Sequence, residues 1–337
     1  MPIDISKFKN CKILVIGDFL IDEYIWGNVE GVSTEAPVPI VDVSNYNYAL
    51  GGAGNVVNNL AALGGSIYAV GLAGTGYNGK LMMEKLKKLN VNTTGIYLDK
   101  TRPTPKKTRV VASNQQVLRV DWDTNKPVSK MATNELLASI QNIIPIVDII
   151  LISDHGNGTL TKPFLSSIFS IARKHSKITI LDPCGTDYDK YKGATIISSN
   201  VKEVSLVTGM EIMGKNSILK AGTSLMKMTA AEGLLVTCGK DGIILFGRTS
   251  VPFEIESQAR QVYDVSGASD TVLSLLGLSL ASGGSFKDAA TVANVAAGLV
   301  VGKVGAATVS ENELIIGLMS FSGSKQADNE QNDKNLY

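Results

Sequence analysis

The chain has 337 residues, 44% of them hydrophobic, which suffices for one large α/β domain carrying a small appendage and a sizeable buried core. Its 32 basic and 31 acidic residues nearly cancel and form no cluster long enough for a nucleic-acid or anionic-membrane footprint, so the expected partners are small molecules or further copies of the chain. Three cysteines without CxxC or metal-ligand spacing, only two histidines, no apolar leader and no run of about 18 apolar residues exclude a zinc centre, secretion and membrane spanning, and point to the reducing cytoplasm.

Residues 12–18, Lys-Ile-Leu-Val-Ile-Gly-Asp, read as a buried parallel strand that delivers Asp18 to its carboxyl end, where ligands of α/β sheets gather. Similar apolar runs at 67–72, 148–153, 178–182, 194–198 and 234–237 alternate with helix-length stretches such as 133–143 and 162–174. The alternation predicts a mostly parallel sheet covered by helices on both faces. Two stretches break the rhythm. Residues 26–43 carry Pro37 and Pro39, and within 102–123 the runs 109–112 and 117–120 flank a turn at Ser113-Asn114. They predict a small accessory sheet, which either closes over a site and excludes water or serves only packing. Residues 323–337, rich in Asn, Asp, Lys and Gln, read as a disordered tail after a domain spanning 1–322.

Between the first of these breaks and the second strand, Leu50-Gly51-Gly52-Ala53-Gly54-Asn55 leads into a small-residue helix. No Lys-Ser/Thr pair of a P-loop follows, and Asn55, both donor and acceptor, suits sugar hydroxyls, with Asp18 and Asp22 as further acceptors. Asn200-Val201-Lys202-Glu203 follows an apolar run directly. It reads either as a capping box or as a carboxylate, Glu203, placed to reach Mg²⁺ beside a triphosphate. Thr237-Cys238-Gly239-Lys240-Asp241-Gly242 is either the wall of a nucleotide site or an ordinary hairpin turn. Finally, Asp264-Val265-Ser266-Gly267-Ala268-Ser269-Asp270 opens a nearly all-apolar helix. Backbone N–H groups at such a helix start attract phosphate oxygens, and Asp270, one step further, is placed to take a hydroxyl proton. Asp270 as a simple first-turn cap, beside small residues that only permit tight packing, is the alternative.

Taken in order, these segments resemble the ribokinase-like (PfkB) carbohydrate kinase family over about 12–318, and within it the D-glycero-β-D-manno-heptose 7-phosphate kinases of ADP-heptose synthesis. The likeness rests on Gly17-Asp18 through Asp22, Glu35 to Pro39, Gly51 to Val56, Asn114-Gln115-Gln116, Arg119-Val120-Asp121, Gly185-Thr186-Asp187, Tyr191 to Thr195 and Val301 to Gly305. It implies a Rossmann-type αβα sandwich with a β lid at about 23–48 and 102–123, often shared in a homodimer. It also implies transfer of the ATP γ-phosphate to the anomeric hydroxyl of heptose 7-phosphate, with Mg²⁺ and in some relatives K⁺, while a separate polypeptide performs adenylyl transfer. Asp270 carries over as the base and Gly267, Ala268 and Ser269 as the anion hole. Asn200, Val201, Lys202, Glu203, Thr237, Gly239, Gly242 and Asn294 carry over to the nucleotide site, with Glu203 at the metal. Asp18, Asp22, Gly51, Gly52 and Asn55 carry over to the sugar, and Lys107, Arg109 and Arg119 are candidates for its 7-phosphate, because a dianion needs charge-assisted donors. Their alternative is as solvated strand charges.

Three residues depart from the family pattern: Ser269 in place of glycine, and Cys184 and Asn157 in place of lysines. A helical φ at Ser269 keeps its N–H available, whereas a positive φ there is strained. Two further readings follow from these departures: a kinase of another sugar or sugar phosphate, and a weakly active sugar-phosphate-binding protein.

Overall fold

In a computed structural model, residues 3–321 are described apart from 114, 249, 258, 260, 261, 263, 264, 304 and 306, so Asn114, Asp264 and the polar tail lie outside the described residues. The first strand, β1 (Lys12–Gly17), is buried from Ile13 onward, as its unbroken apolar run requires. β2 (Phe19–Val32) and β3 (Pro39–Gly52) then form a long antiparallel hairpin. The chain continues through α1 (Ala53–Ala62), β4 (Ser66–Gly74), α2 (Tyr77–Lys88) and β5 (Asn92–Asp99), then makes a second hairpin of β6 (Lys106–Ala112) and β7 (Gln115–Trp122). The remainder alternates: α3 (Lys130–Ile143), β8 (Ile149–Ser153), α4 (Lys162–Lys174), β9 (Ile178–Asp182), β10 (Ile196–Asn200), α5 (Val201–Thr208), α6 (Lys215–Thr229), β11 (Gly233–Thr237), β12 (Ile243–Gly247), β13 (Phe253–Ile255), α7 (Ala268–Ala281) and α8 (Phe286–Val300).

Nine strands form the main sheet, in the order β13-β12-β11-β10-β9-β8-β1-β4-β5. All pairs from β11 to β5 are parallel, and β12 and β13 add an antiparallel edge. Two apolar clusters cover its two faces, one holding α1, α7 and α8 and the other α3, α4 and α6. α7 is buried from Asp270 to Ser279, which explains why its sequence lacks a polar face. The strand order reverses beside β1: the chain leaves toward β4 and β5, then returns to β8 on the other side. At such a switch point the loops diverge and leave a crevice outside the carboxyl ends of the strands.

The layered αβα architecture and the six predicted strands are present. The accessory sheet, of order β3-β2-β6-β7, is larger than its sequence signal. Its first hairpin runs inward to Phe19 and Gly52, so Gly51-Gly52 ends a strand before the helix begins. Register shifts at Trp26/Gly27 and Val29/Gly31 interrupt the pattern of the outer half, which obscures a continuous strand in the sequence.

Candidate active site

Two cavities meet at the start of α7. The smaller, of about 330 Å³, opens at the carboxyl ends of β8 and β9 and is roofed by β2 and β6. Its charged lining consists of Asp22, Lys107, Arg109, Asp154, His155, Asp182, Glu203 and Asp270. The larger, of about 760 Å³, lies between α5, α8 and the β11–β12 turn, and is mostly apolar, with Ile212, Ile218, Val272 and Val301 among its walls. Val265 and Ser269 line both. Volumes in this range suit small organic ligands.

Asp270 stands in the first turn of α7, 9% exposed, and accepts a 2.8 Å hydrogen bond from Asn55 Nδ2. Burial, with Asp22 adding to it, pushes its carboxyl above the usual carboxylate range, while His155, Asn55 and Lys107 oppose the shift. Gly267 caps the helix in the left-handed region, φ 78°, a conformation that a side chain there would strain. Ser269 lies within the helix and is not among the positive-φ residues, so the departure from glycine costs no backbone strain. The Ala268 N–H closes a 3.2 Å turn onto Val265 O, so in this structure that donor is engaged.

Around Asp270 the sugar-type residues separate into two groups. Gly52, Asn55, Asp22, Lys107 and Arg109 line the smaller cavity, and Arg109 pairs with Asp22 and stacks over Tyr24, 5.4 Å from the ring centre. Gly51 makes room for that pair, because a Cβ there would fall 2.3 Å from Asp22 Oδ2. Lys107 has no ion-pair partner among the described residues. Asp18 and Arg119 lie apart. The Asp18 carboxylate sits beneath the loop after β8, accepting the N–H groups of His155 (3.0 Å) and Asn157 (3.1 Å), and Asn157, 3% exposed, is part of that anchorage. Arg119, on the exposed edge strand β7, holds Asp121 at 2.9 Å away from the cavity. The reason is register: Arg119 is opposite Arg109 in β6, one strand further from the crevice.

The nucleotide-type residues, Asn200, Val201, Lys202, Thr237, Gly239, Gly242 and Asn294, all line the larger cavity. The capping box and the ligand-facing reading of 200–203 coexist. Asn200 Oδ1 accepts Glu203 N–H at 2.9 Å, and Glu203 Oε2 accepts Asn200 N–H at 3.1 Å and Ser199 Oγ–H at 2.8 Å, yet Glu203 lines the smaller cavity. α5 thus begins between the two cavities. The 238–242 turn is likewise both a hairpin and a wall: Thr237 pairs with Ile243, and Gly242 has φ 91° with Ile255 O only 2.0 Å from where a Cβ would stand.

Read from sequence, Asp154 and Asp182 have no site function, and His155 only a disfavoured one as a base beside Cys184, although Asp154 and His155 follow β8 and Asp182 ends β9, the strand-end signal that marks Asp18. Asp154 joins Lys190 (2.6 Å) and Tyr191 OH (2.8 Å), and the Tyr191 OH in turn accepts Cys184 N–H at 2.8 Å. A cation therefore stands next to Cys184, and burial pushes the Cys184 thiol up. The Asp182 carboxyl is pushed well above its usual range, first by burial and then by Asp270, Glu203 and Asp154.

Residues 10–313 match the family model described as pfkB family carbohydrate kinase. The bifunctional protein HldE of Desulfatibacillum aliphaticivorans is 48% identical over 311 residues, covering 92% of this chain and 64% of that protein. HldE of Helicobacter hepaticus is 42% identical over 307 residues, covering 91% of this chain and 64% of that one. The chain thus spans under two thirds of the length of these relatives. Among solved structures, Arabidopsis thaliana ribokinase complexed with ribose and ATP superposes with a TM-score of 0.73 at 21% identity, covering 91% of this chain and 98% of that one. Tetrameric phosphofructokinase-2 from Escherichia coli gives 0.77 at 18% identity, covering 93% and 99%. These two likenesses show the fold.

Proposed function

The chain belongs to the pfkB family carbohydrate kinases and is, as such, an ATP-using phosphotransferase that acts on a sugar hydroxyl; on that premise we propose that it phosphorylates the anomeric C1 hydroxyl of D-glycero-β-D-manno-heptose 7-phosphate. The observation that carries the reading is the junction of the two cavities at Val265 and Ser269, next to Asp270 in the smaller one. Adenosine and the polyphosphate take the larger cavity, against Asn200, Val201, Lys202, Thr237, Gly239, Gly242 and Asn294. The sugar phosphate takes the smaller, with Gly52, Asn55 and Asp22 at its hydroxyls and Lys107 and Arg109 at its phosphate. Asp18 supports the site from beneath, through the loop after β8.

In this reading Asp270, oriented by Asn55, accepts the C1 hydroxyl proton as the oxygen attacks the γ-phosphorus. The O–P bond to the sugar forms, the bond to the β-phosphate oxygen breaks, and ADP leaves. N–H groups of the 267–269 turn receive the charge on the transferring group, which requires the Ala268 donor to turn from Val265. Mg²⁺ fits the donor set. Glu203 Oε1 takes no hydrogen bond among the described residues, and a metal that keeps several waters and rides on the phosphates needs only one or two carboxylates. Mg²⁺ held there by Glu203 would neutralise phosphate charge; omission of Mg²⁺, or exchange of K⁺ for Na⁺, tests both ions.

The small sheet acts as the lid. Its surface exposes Val43, Tyr46, Leu118 and Trp122 at 54–63%, which favours burial against a second lid in a homodimer, with Arg119 at or near the contact. Free cysteines and the use of ATP favour the cytoplasm as its compartment in this reading. The deciding experiment is ADP release from Mg-ATP across a panel of sugar phosphates. Heptose 7-phosphate gives the highest kcat/KM; turnover confined to ribose, fructose phosphate or a nucleoside would overturn the substrate, and binding without turnover would favour a binding protein.

A further inference from the structure

The hydroxyl side chains in the first two turns of α7 have different surroundings. Thr271 Oγ1–H is donated to Asn59 Oδ1 at 3.1 Å and Ser274 Oγ–H to Asp270 O at 2.6 Å, both inside the core. Ser269 is exposed, and its hydroxyl takes no hydrogen bond among the described residues. Among those residues, only Ser269 and Val265 line both cavities, and Val265 is apolar. Successive residues of a helix point about 100° apart. Ser269 and Asp270 therefore face different ways from one turn, Asp270 into the smaller cavity alone and Ser269 toward the boundary between the two.

We propose that the Ser269 hydroxyl is a further catalytic group: it donates a hydrogen bond to an oxygen of the phosphoryl group as that group crosses from the larger cavity to the smaller. The inference rests on the reaction proposed above, and it gives a function to a side chain that stands where the family pattern has glycine. Two features of the boundary call for such a donor. The smaller cavity presents five carboxyl groups against the two permanent cations Lys107 and Arg109, and Arg109 already pairs with Asp22. The Ala268 N–H, a donor of the same turn, is engaged with Val265 O. A neutral hydroxyl adds a donor where negative charge gathers, and it rotates to follow the oxygen through the transfer. Ser269 keeps its own proton throughout. The C1 oxygen forms the new O–P bond, the β-phosphate oxygen leaves with ADP, and Asp270 takes the C1 hydroxyl proton.

The test compares Ser269→Ala and Ser269→Gly with Ser269→Thr, which keeps a hydroxyl. With the sugar that the panel of phosphates identifies, kcat falls about 10–100-fold in the Ala and Gly forms while both KM values stay within about twofold, and the Thr form recovers to within about threefold of native. A merely structural role would move KM or thermal stability instead. Calorimetry of ADP with Mg²⁺ and aluminium fluoride, a mimic of the transferring group, reads the same contact without any sugar. The native and Thr forms hold ADP more tightly when the fluoride is present, and the Ala form loses about tenfold of that gain while binding ADP alone as the native protein does. An unchanged kcat in the Ala form, or an equal gain in the native and Ala forms, overturns the proposal. So does phosphate found on Ser269 itself after incubation with Mg-ATP alone, which would make the hydroxyl an acceptor. A gain that depends on Ser269 in a protein that phosphorylates no sugar overturns the proposed reaction and leaves the donor standing.

Discussion

The two cavities that meet at Ser269 are built in different ways. The smaller relies on side-chain charge: eight acidic and basic residues converge from β2, β6, the strand ends and two helix starts. The larger relies on backbone and packing, with apolar walls, a capping box and a glycine-bounded turn. Charge recognition is chemically selective but fails when one group is removed, because its neighbours are left buried and unpaired. Backbone recognition survives side-chain changes and fails when the chain path is disturbed. Under the proposed function, the contrast would match a division of labour in which the smaller cavity chooses the acceptor and the larger holds the nucleotide.

The largest expected effect lies at the point where the cavities join. Asp270→Asn keeps the size of the side chain and removes the base, so kcat falls by about 10²–10⁴. Binding of a nonhydrolysable ATP analogue, read by calorimetry, changes less than about threefold, since the larger cavity does not depend on that charge. An equal loss of nucleotide affinity would break the separation. Next, Lys107→Met removes one cation from the smaller cavity. A charged hydrogen bond is worth about 1.5–3 kcal/mol, so KM for the sugar phosphate rises tenfold or more with KM for ATP little changed. The smallest effect sharpens the other side: Gly242→Ala forces a side chain onto φ 91° and against Ile255 O, which costs on the order of 1–3 kcal/mol of local strain. Here KM for ATP rises several-fold, the sugar phosphate KM stays near its native value, and thermal unfolding moves down by a few degrees.

Legibility divides along the same line. Six of the nine strands of the main sheet were readable because fully buried parallel strands are short apolar runs, as at 12–18, 178–182 and 234–237, whereas β5, β12 and β13, at the two edges, were not read. The lining of the larger cavity was readable too, since the Asn200–Glu203 box and the turn before Gly242 are local features whose partners are close in sequence. The acceptor side was readable only in part. Asp270 and Asn55 were visible as helix-start residues, but their 2.8 Å contact spans most of the chain. Asp154, His155 and Asp182 become neighbours of Asp270 only when β8 and β9 pack beside β1, and no local pattern marks that event. Arg119 shows the reverse error of scale: its charge was visible, but one strand of register separates it from the cavity within a single chain. Ser269 was the sharpest departure from the family pattern and proved the simplest to accommodate, because its conformation is helical.

The central claim is that a sugar hydroxyl activated by Asp270 in the smaller cavity attacks a nucleotide held in the larger. ³¹P NMR of a reaction containing Mg-ATP and D-glycero-β-D-manno-heptose 7-phosphate tests it most directly. The account predicts loss of the γ-phosphate signal, growth of ADP, and a new phosphomonoester resonance coupled to the anomeric proton, all absent with Asp270→Asn. Release of ADP with only inorganic phosphate, or the same sugar product at an undiminished rate from Asp270→Asn, would contradict it.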